Sequence, residues 1–202
     1  MLYQIRNFYL PFALLFSIIF TGCTNTADMG SSYQVPSASL NSVYLHKNHY
    51  ILLPSCNSIK KERTYRQLVT FMFQGQKHTL QSVVIFKPES LDVNYFSLSS
   101  IPLYRILYED NSLKITDKAK NIPFPQPSQM VFDIMLAYDE LCSINDTLPP
   151  LYILKKEDDF NYLYDDHDRL IYEIEYRMHN AKREPYTIRN HVFNYTIKLH
   201  YL

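Results

Sequence analysis

The densest cluster of side chains that could do chemistry is Asp165-Asp166-His167-Asp168. Carboxylates and imidazole are both good metal ligands, so the cluster is a candidate metal site. It lies, however, between two stretches of strand-like alternation, where Asp-rich turns are common. Sequence spacing alone does not bring the four side chains onto one ion. We therefore interpret the cluster as a solvated turn and predict no metal site.

No catalytic motif accompanies this cluster. The seven histidines show no His-Glu-x-x-His spacing, and the chain has no Gly-x-Ser-x-Gly elbow, no Cys-x-x-Cys pair and no glycine loop that could cradle a phosphate. A Ser-His-Asp triad can be assembled from residues far apart in the sequence, so an envelope hydrolase stays an alternative. We assign no catalytic residue and no cofactor, and we predict that the protein is not an enzyme.

The N-terminal segment has the order of a secretory signal. Arg6 precedes an apolar run at residues 8–20, and Thr21 and Gly22 lead to Cys23. The run is shorter than the roughly 20 apolar residues that a membrane-spanning helix needs. Its end resembles the lipobox of bacterial lipoproteins, in which a peptidase cuts before the cysteine and the cysteine sulfur carries a diacylglycerol.

This resemblance implies that residues 1–22 are a signal peptide and that lipidated Cys23 anchors the mature chain to a membrane. An ordinary secretory signal and an uncleaved signal anchor are the alternatives. Position 24 is Thr, whereas Asp at that position retains the resembled lipoproteins of enteric-type bacteria in the inner membrane. The expected location is therefore the outer membrane, facing the periplasm.

Two further cysteines, Cys56 and Cys142, remain once Cys23 carries lipid. The periplasm is oxidising, so these two residues could form one disulfide. Two unpaired thiols are the alternative.

The charge balance bears on the class of partner. Lys and Arg total 20, and Asp and Glu total 20, so the formal net charge is zero. A near-neutral chain offers no electrostatic argument for binding nucleic acid, and nucleic acid is not predicted as a partner.

Strand-like alternation dominates the chain after a polar N-terminal stretch. We interpret residues 23–42 as a flexible tether and residues 43–202 as one domain with about nine strands. Gln74-Gly75-Gln76 predicts a hairpin turn, because Gly adopts positive φ at little cost.

One stretch changes to helical spacing. Val131, Ile134 and Tyr138 recur at helical intervals after a Pro-rich segment. We predict one amphipathic helix at residues 129–144, with Ser128 as its N-cap.

The order of strands, a helix and strands again indicates an α+β fold. Connections between strands are short, so the pairing should be antiparallel, and about nine strands in one small domain must curl. We predict a strongly curved antiparallel sheet, a half-open barrel, with the main helix packed on its concave side.

Aromatic content is the most informative feature of the composition, with 18 Tyr and 12 Phe. Several strands carry apolar residues on both faces, so a curled sheet with an open mouth could present part of this surface as a pocket for an apolar ligand. The alternative is that these residues only fill the core and cover the sheet, since Tyr is a favoured strand residue. The candidate lining residues are Phe71, Phe73, Val84, Phe86, Tyr95, Tyr104, Tyr172 and Tyr195.

Several segments of the domain share a pattern of core positions: LVTF at 68–71, QSVV at 81–84, IPLYRILY at 101–108, DIMLAY at 133–138, IYEIEY at 171–176 and IRNHVFNYTI at 188–197. Through them, most of residues 65–202 resemble a family of uncharacterised bacterial lipoproteins that are often encoded among aryl-polyene and fatty-acid-type biosynthesis genes. The chain resembles a divergent member, with Tyr138-Asp139-Glu140 where Trp-Pro is common in that family. The family's architecture resembles that of the lipoprotein-localisation proteins LolA and LolB, a half-open barrel lidded by helices around a cavity for acyl chains.

The resemblance implies a lipoprotein that binds or transfers a lipid-like molecule at the outer membrane, with an aryl-polyene lipid as one candidate, and it supplies no catalytic motif. The expected partners are the membrane, through Cys23, a lipid or acyl-chain ligand, and an envelope protein. This hypothesis predicts an apolar cavity. A structural or assembly lipoprotein of an envelope complex predicts a filled core and a large exposed apolar patch, and an envelope hydrolase predicts a cleft with a perturbed histidine or carboxylate.

Overall fold

An open antiparallel sheet forms most of the molecule. The computed structural model describes residues 41–47, 49–55, 58–116 and 125–202, all within one compact unit, Ser37–Leu202. The predicted signal peptide, Cys23, nearly all of the tether, and Cys56 lie outside the described residues. None of the described helices is long and apolar enough to cross a membrane.

The described chain has twelve strands and two helices. The strands are β1 (Ser42–His46), β2 (His49–Leu52), β3 (Arg63–Phe73), β4 (Gln76–Lys87), β5 (Ser90–Phe96), β6 (Pro102–Glu109), β7 (Ser112–Thr116), β8 (Ile153–Lys156), β9 (Phe160–Tyr164), β10 (Leu170–His179), β11 (Lys182–Asn190) and β12 (Tyr195–Tyr201). The helices are α1 (Pro127–Ala137) and α2 (Asp139–Cys142), followed by a 3₁₀ turn, Ile144–Asp146.

Ten strands make one sheet in the order β7-β6-β5-β4-β3-β12-β11-β10-β9-β8, and β1 and β2 pair separately as a hairpin. Every pair is antiparallel, as predicted, and the sheet has one strand more than the nine expected. The C-terminal strand β12 lies at the centre, where its pairing with β3 joins the two halves of the sheet.

The sheet is curved and not closed, with the main helix on its concave side. Helix α1 contacts β6 and β7 at one end of the strand order and β11 towards the other. A straight helix can contact strands so far apart in the order only if the sheet bends around it. The predicted fold class, a curved antiparallel sheet with one main helix, is confirmed.

The limits of α1 differ from the predicted helix at 129–144. The helix begins at Pro127, which suits the first position because its fixed φ is already helical and its missing N–H is not needed there. Ser128 is therefore inside the helix and is not its N-cap, and its Oγ donates to the Ser42 carbonyl oxygen at 2.7 Å. The helix ends at Tyr138, whose φ of −107° and ψ of 39° interrupt it before α2.

Helix α1 is buried all round, so the predicted amphipathic character was wrong. Every residue from Ser128 to Ala137 is buried. One side packs on the sheet, and the β1–β2 hairpin covers another side through β1. A helix with two covered sides needs apolar residues around its circumference, and the sequence supplies them on both sides of Asp133.

Strand register separates the two faces of the sheet. Side chains alternate between the two faces along a strand, and directly paired residues on neighbouring strands lie on the same face. The residues that are paired in succession from Tyr65 on β3 to β7 therefore share one face, and this face packs on α1. One such row is Tyr65, Val84, Val93, Ile106 and Ile115. We call this the inner face of the sheet.

The predicted turn between β3 and β4 is confirmed. Gln74 and Gly75 connect the strands with φ values of 49° and 75°. Positive φ at both central residues is the type I′ geometry, whose twist suits a two-residue hairpin.

Candidate functional site

The eight predicted lining residues all lie on the inner face. Strand pairing joins them to the rows that face α1, and seven are buried while Phe73 is partly buried. They belong to the hydrophobic core or pack against it. The residues are Phe71, Phe73, Val84, Phe86, Tyr95, Tyr104, Tyr172 and Tyr195.

The space that the inner face encloses is small. Among the described residues, a gap of about 20 Å³ lies between α1 and the sheet, and Phe71 and Tyr95 are the two predicted residues that line it. Such a gap has room for about one water molecule. A lipid chain could enter the interior only if α1 or its neighbouring side chains moved, so the predicted ligand cavity stays a prediction.

A buried carboxylate lies beside this gap. Asp133 projects from α1 and is 1% exposed. The Tyr172 hydroxyl donates to its Oδ1 at 2.7 Å, and the Tyr195 hydroxyl lies 2.8 Å from both carboxylate oxygens. Gln129 donates to both Asp133 and Tyr172. These bonds attach the middle of α1 to β10 and β12.

Burial raises the pKa of Asp133 to about 7, and the hydrogen bonds from Tyr172, Tyr195 and Gln129 oppose this shift without cancelling it. The pKa values of Tyr172 and Tyr195 are raised by burial and by the nearby Asp133 carboxylate. Sequence reasoning missed this cluster. The available signal was one acidic residue in the otherwise apolar run at 130–137.

A larger cleft opens at the C-terminal end of α1. It has a volume of about 610 Å³ and is bounded by α2, by the start of β3 and by β8 to β11. Tyr176 lines the cleft, and its hydroxyl donates to the Ala137 carbonyl oxygen at 2.9 Å. This volume is within the usual range for small-molecule sites, roughly 300–1,000 Å³.

Two charged groups of the cleft are committed to protein contacts. Lys156 pairs with the buried Asp139 carboxylate at the start of α2. Arg183 stacks its guanidinium 3.5 Å from the centre of the Tyr176 ring and donates to the backbone of the β8–β9 turn and to Asn161 Oδ1. These contacts fix the far wall of the cleft.

Tyr138 separates the cleft from the inner gap. Among the described residues, it is the one side chain that lines both spaces. Its ring packs 4.5 Å from the Tyr65 ring centre and 5.1 Å from that of Phe86, and its hydroxyl bonds to Gln67 and Tyr201. Burial raises its pKa well above the ordinary value. The break in the helix therefore places the Tyr138 ring between the charged cleft and the apolar gap.

The acidic cluster that follows β9 forms a turn. The ligand atoms of Asp165, Asp166 and His167 lie within 4.8 Å of one another. However, Asp165 already accepts bonds from the backbone N–H groups of His167 and Arg169 and from Arg169 Nε. Burial raises the pKa of Asp165, but these bonds outweigh it and hold the pKa below its ordinary value. The positive charge that balances the Asp165 carboxylate is the Arg169 guanidinium, 2.7 Å away.

Cys142 is buried in α2. Ser58 Oγ donates to the carbonyl oxygen of Leu141, the preceding residue, at 3.0 Å. The chain two residues after Cys56 thus lies against α2. The predicted Cys56–Cys142 disulfide stays a prediction.

These features define a class of protein: one open antiparallel sheet wrapped around a buried helix, with a charged cleft at the C-terminal end of that helix. Residues 64–202 match the family described as "Protein of unknown function (DUF3261)". The chain belongs to this family. The finer expectations, a lipoprotein with a LolA- or LolB-like architecture, stay predictions.

A comparison with curated proteins finds no match. Among solved structures, the chain is similar to the crystal structure of a DUF1329 family protein from Desulfovibrio piger ATCC 29098, with 7% sequence identity and a TM-score of 0.33. The match covers 70% of this chain and 83% of that chain. A likeness at this TM-score carries no argument about function.

Proposed function

We propose that this protein binds an amphiphile, with the polar head in the charged cleft and the apolar chain between α1 and the inner face. The observation that carries the proposal is the position of Tyr138, which forms the wall shared by the 610 Å³ cleft and the 20 Å³ gap. Rotation of this side chain would join a polar opening to an apolar interior. Amphiphiles need both environments next to each other.

The composition of the inner face supports the proposal. The gap is lined mostly by apolar side chains, including Val69, Ile188 and Ile197, with Asp133 and Gln67 as its polar members. A small number of polar groups in an apolar lining is typical of ligand sites. The proposed site extends along α1, with Asp133 beside the apolar gap and Tyr138 at the cleft.

The proposed location follows from the N-terminal segment. Lipidated Cys23 would anchor the domain at the outer membrane on the periplasmic side, where amphiphiles are abundant. A lipid or acyl-chain molecule is the proposed ligand class, and an aryl-polyene lipid is one candidate within it. An envelope protein that delivers or receives the ligand is the proposed second partner.

The first test is native mass spectrometry of the mature chain with Cys23→Ser, isolated from a bacterial periplasm and followed by organic extraction. We expect a stoichiometric excess mass that extracts as an amphiphile. A clean apo mass, together with no uptake of added acyl chains, would overturn the proposal.

A fluorescent reporter localises the binding. The chain contains no Trp, so Tyr138→Trp introduces a single indole at the wall. We expect its emission to shift when a short-chain amphiphile is added. Tyr186→Trp is the matched control, because Tyr186 packs under Arg177 and His200, away from the cleft. Equal responses from both variants would argue against binding at Tyr138.

A second candidate function is a structural or assembly lipoprotein. The nearly filled interior favours it, because a protein that only presents its surface needs no cavity. The hydrolase alternative expected a cleft with a perturbed carboxylate, and burial does raise the pKa of Glu184 in the cleft. No Ser, Cys or His is among the described residues that line the cleft, although His179 is near enough to Glu184 to act on its charge.

A further inference from the structure

Glu184 is an unusual residue in the cleft wall. It lies on β11 and lines the cleft, and no hydrogen bond or ion pair reaches its carboxylate from the residues that the structure describes. No described side-chain oxygen is both buried and without a hydrogen-bond partner, so the Glu184 carboxylate oxygens are open to solvent from the cleft. An unpaired carboxylate that faces a cleft is a site for a ligand that brings its own donor.

The surroundings of Glu184 favour a cation. Tyr65 and Tyr138 line the same cleft with ring centres 4.5 Å apart, and the Tyr201 ring lies 6.3 Å from Tyr65. Aromatic faces attract ammonium groups.

Opposite charges stand near this carboxylate. Arg63 and Lys182 line the cleft, and both are exposed and make no ion pair with another described residue. Guanidinium and ammonium groups are the usual protein donors to phosphate. Lys156 and Arg183 are committed elsewhere, so Arg63 and Lys182 are the basic groups open to a ligand among the described residues that line the cleft.

We propose that the cleft binds a zwitterionic aminophosphate head group, with its primary ammonium on Glu184 beside Tyr65 and Tyr138 and its phosphate towards Arg63 and Lys182. The lipid form of such a head group rests on the proposed amphiphile function. A water-soluble aminophosphate has the same chemistry, and the experiment separates the two sources.

The experiment titrates the mature chain carrying Cys23→Ser with dihexanoyl-phosphatidylethanolamine and dihexanoyl-phosphatidylglycerol in a calorimeter. The two lipids share the phosphate and the acyl chains and differ in the head alcohol, which carries an ammonium in the ethanolamine lipid and is an uncharged glycerol in the other. We expect the ethanolamine lipid to bind about tenfold more tightly, the size of one charge-assisted hydrogen bond. Equal affinity for the two lipids would overturn the head-group assignment and leave amphiphile binding intact.

Glu184→Gln keeps the shape of the side chain and removes its charge. We expect it to abolish the preference for ethanolamine, whereas Glu89→Gln, an exposed position in the β4–β5 turn outside the cleft, preserves it. A preference that survives in Glu184→Gln contradicts the proposal. The wild-type comparison of the two lipids does not depend on how well this variant folds.

Glycerophosphoethanolamine, which lacks acyl chains, distinguishes the two failures. If it binds in a Glu184-dependent way while neither lipid gains affinity from its chains, the site serves a soluble aminophosphate and the amphiphile function fails. If neither it nor the ethanolamine lipid binds, the head-group site itself is wrong.

Discussion

At the residue scale, Asp133 is held in place by bonds that do not fully compensate its burial. Its pKa of about 7 lies above the ordinary 3.8, so the folded chain binds this proton more tightly than the unfolded chain does. The contribution to stability is therefore full below about pH 4 and is lost as the pH rises through 7. A shift of this size corresponds to about 4 kcal/mol at most.

Asp133→Asn tests this account. The amide carries no charge at any pH, so the decline in unfolding free energy between pH 4 and pH 7.5 should become shallower than in the wild type. Urea unfolding at a series of pH values measures it. Asp110→Asn, at an exposed turn position, is the matched control and should keep the wild-type slope. An unchanged slope in Asp133→Asn would show that another group controls the pH dependence.

The same residues show what a residue pattern can and cannot predict. Alternation grouped Tyr172 and Tyr195 with the residues at every second position of their strands, because the side-chain period of a strand is local, but it left open which face of the sheet points inward. It did not reveal that their hydroxyls bond to Asp133, because that partner belongs to a helix far away in the sequence. The role of a tyrosine depends on the hydrogen-bond partner of its hydroxyl, and the periodicity of a strand does not specify that partner.

At the element scale, the structure differs from the prediction at Tyr138, where the single predicted helix is divided into α1 and α2. Helical spacing continued through residue 144 in the sequence, but tertiary contacts divided the helix, since the Tyr138 hydroxyl bonds to Gln67 and Tyr201 on the sheet. Local propensity is a weak constraint compared with packing. The break matters for function, because it creates the wall between the cleft and the gap.

The contact between α2 and the segment before β3 makes the disulfide prediction specific. Ser58 meets the Leu141 carbonyl oxygen, beside the buried Cys142. We expect non-reducing peptide mapping of periplasmic protein to yield a Cys56–Cys142 linked peptide. Cys56→Ser should then lower the free energy of unfolding by roughly 2–5 kcal/mol, because the bond restricts the unfolded chain.

Adding Cys142→Ala to Cys56→Ser controls for the loss of the bond itself. The double variant should lose little more stability than Cys56→Ser alone, because the single and the double variant lack the same disulfide bond. Alkylation of both cysteines in denatured, non-reduced wild-type protein would contradict the disulfide.

At the scale of the whole molecule, the central pairing of β3 with β12 makes one sheet from two halves of the chain. The helix that fills the concave side is inserted between the halves in sequence, and the cleft takes residues from both. Arg63 comes from the first half and Glu184 from the second. The candidate site therefore exists only when the whole domain has folded.

The predicted lipid anchor at Cys23 is also tested at the scale of the whole protein. We expect the wild type to fractionate with membranes and to incorporate labelled palmitate in a bacterial host, and we expect Cys23→Ser to lose the label. Cys56→Ser, which changes a cysteine outside the proposed lipobox, should keep the label. Labelling that persists in Cys23→Ser would reject lipidation at this residue.

The sequence by itself determined that most of the domain is strands, that they pair in antiparallel fashion, where the β3–β4 turn lies and that one main helix interrupts the strands. These features depend on periodicity and turn chemistry, which act over a few residues. The sequence did not determine β11 (Lys182–Asn190), whose first residues lie in a charged stretch at 178–185 that predicts a loop. Only the tertiary structure decided that α1 is buried all round, that it breaks at Tyr138, that Asp133 meets two tyrosines and that Glu184 faces a cleft. Each of these depends on side chains from distant segments, and on the small volume left after they pack.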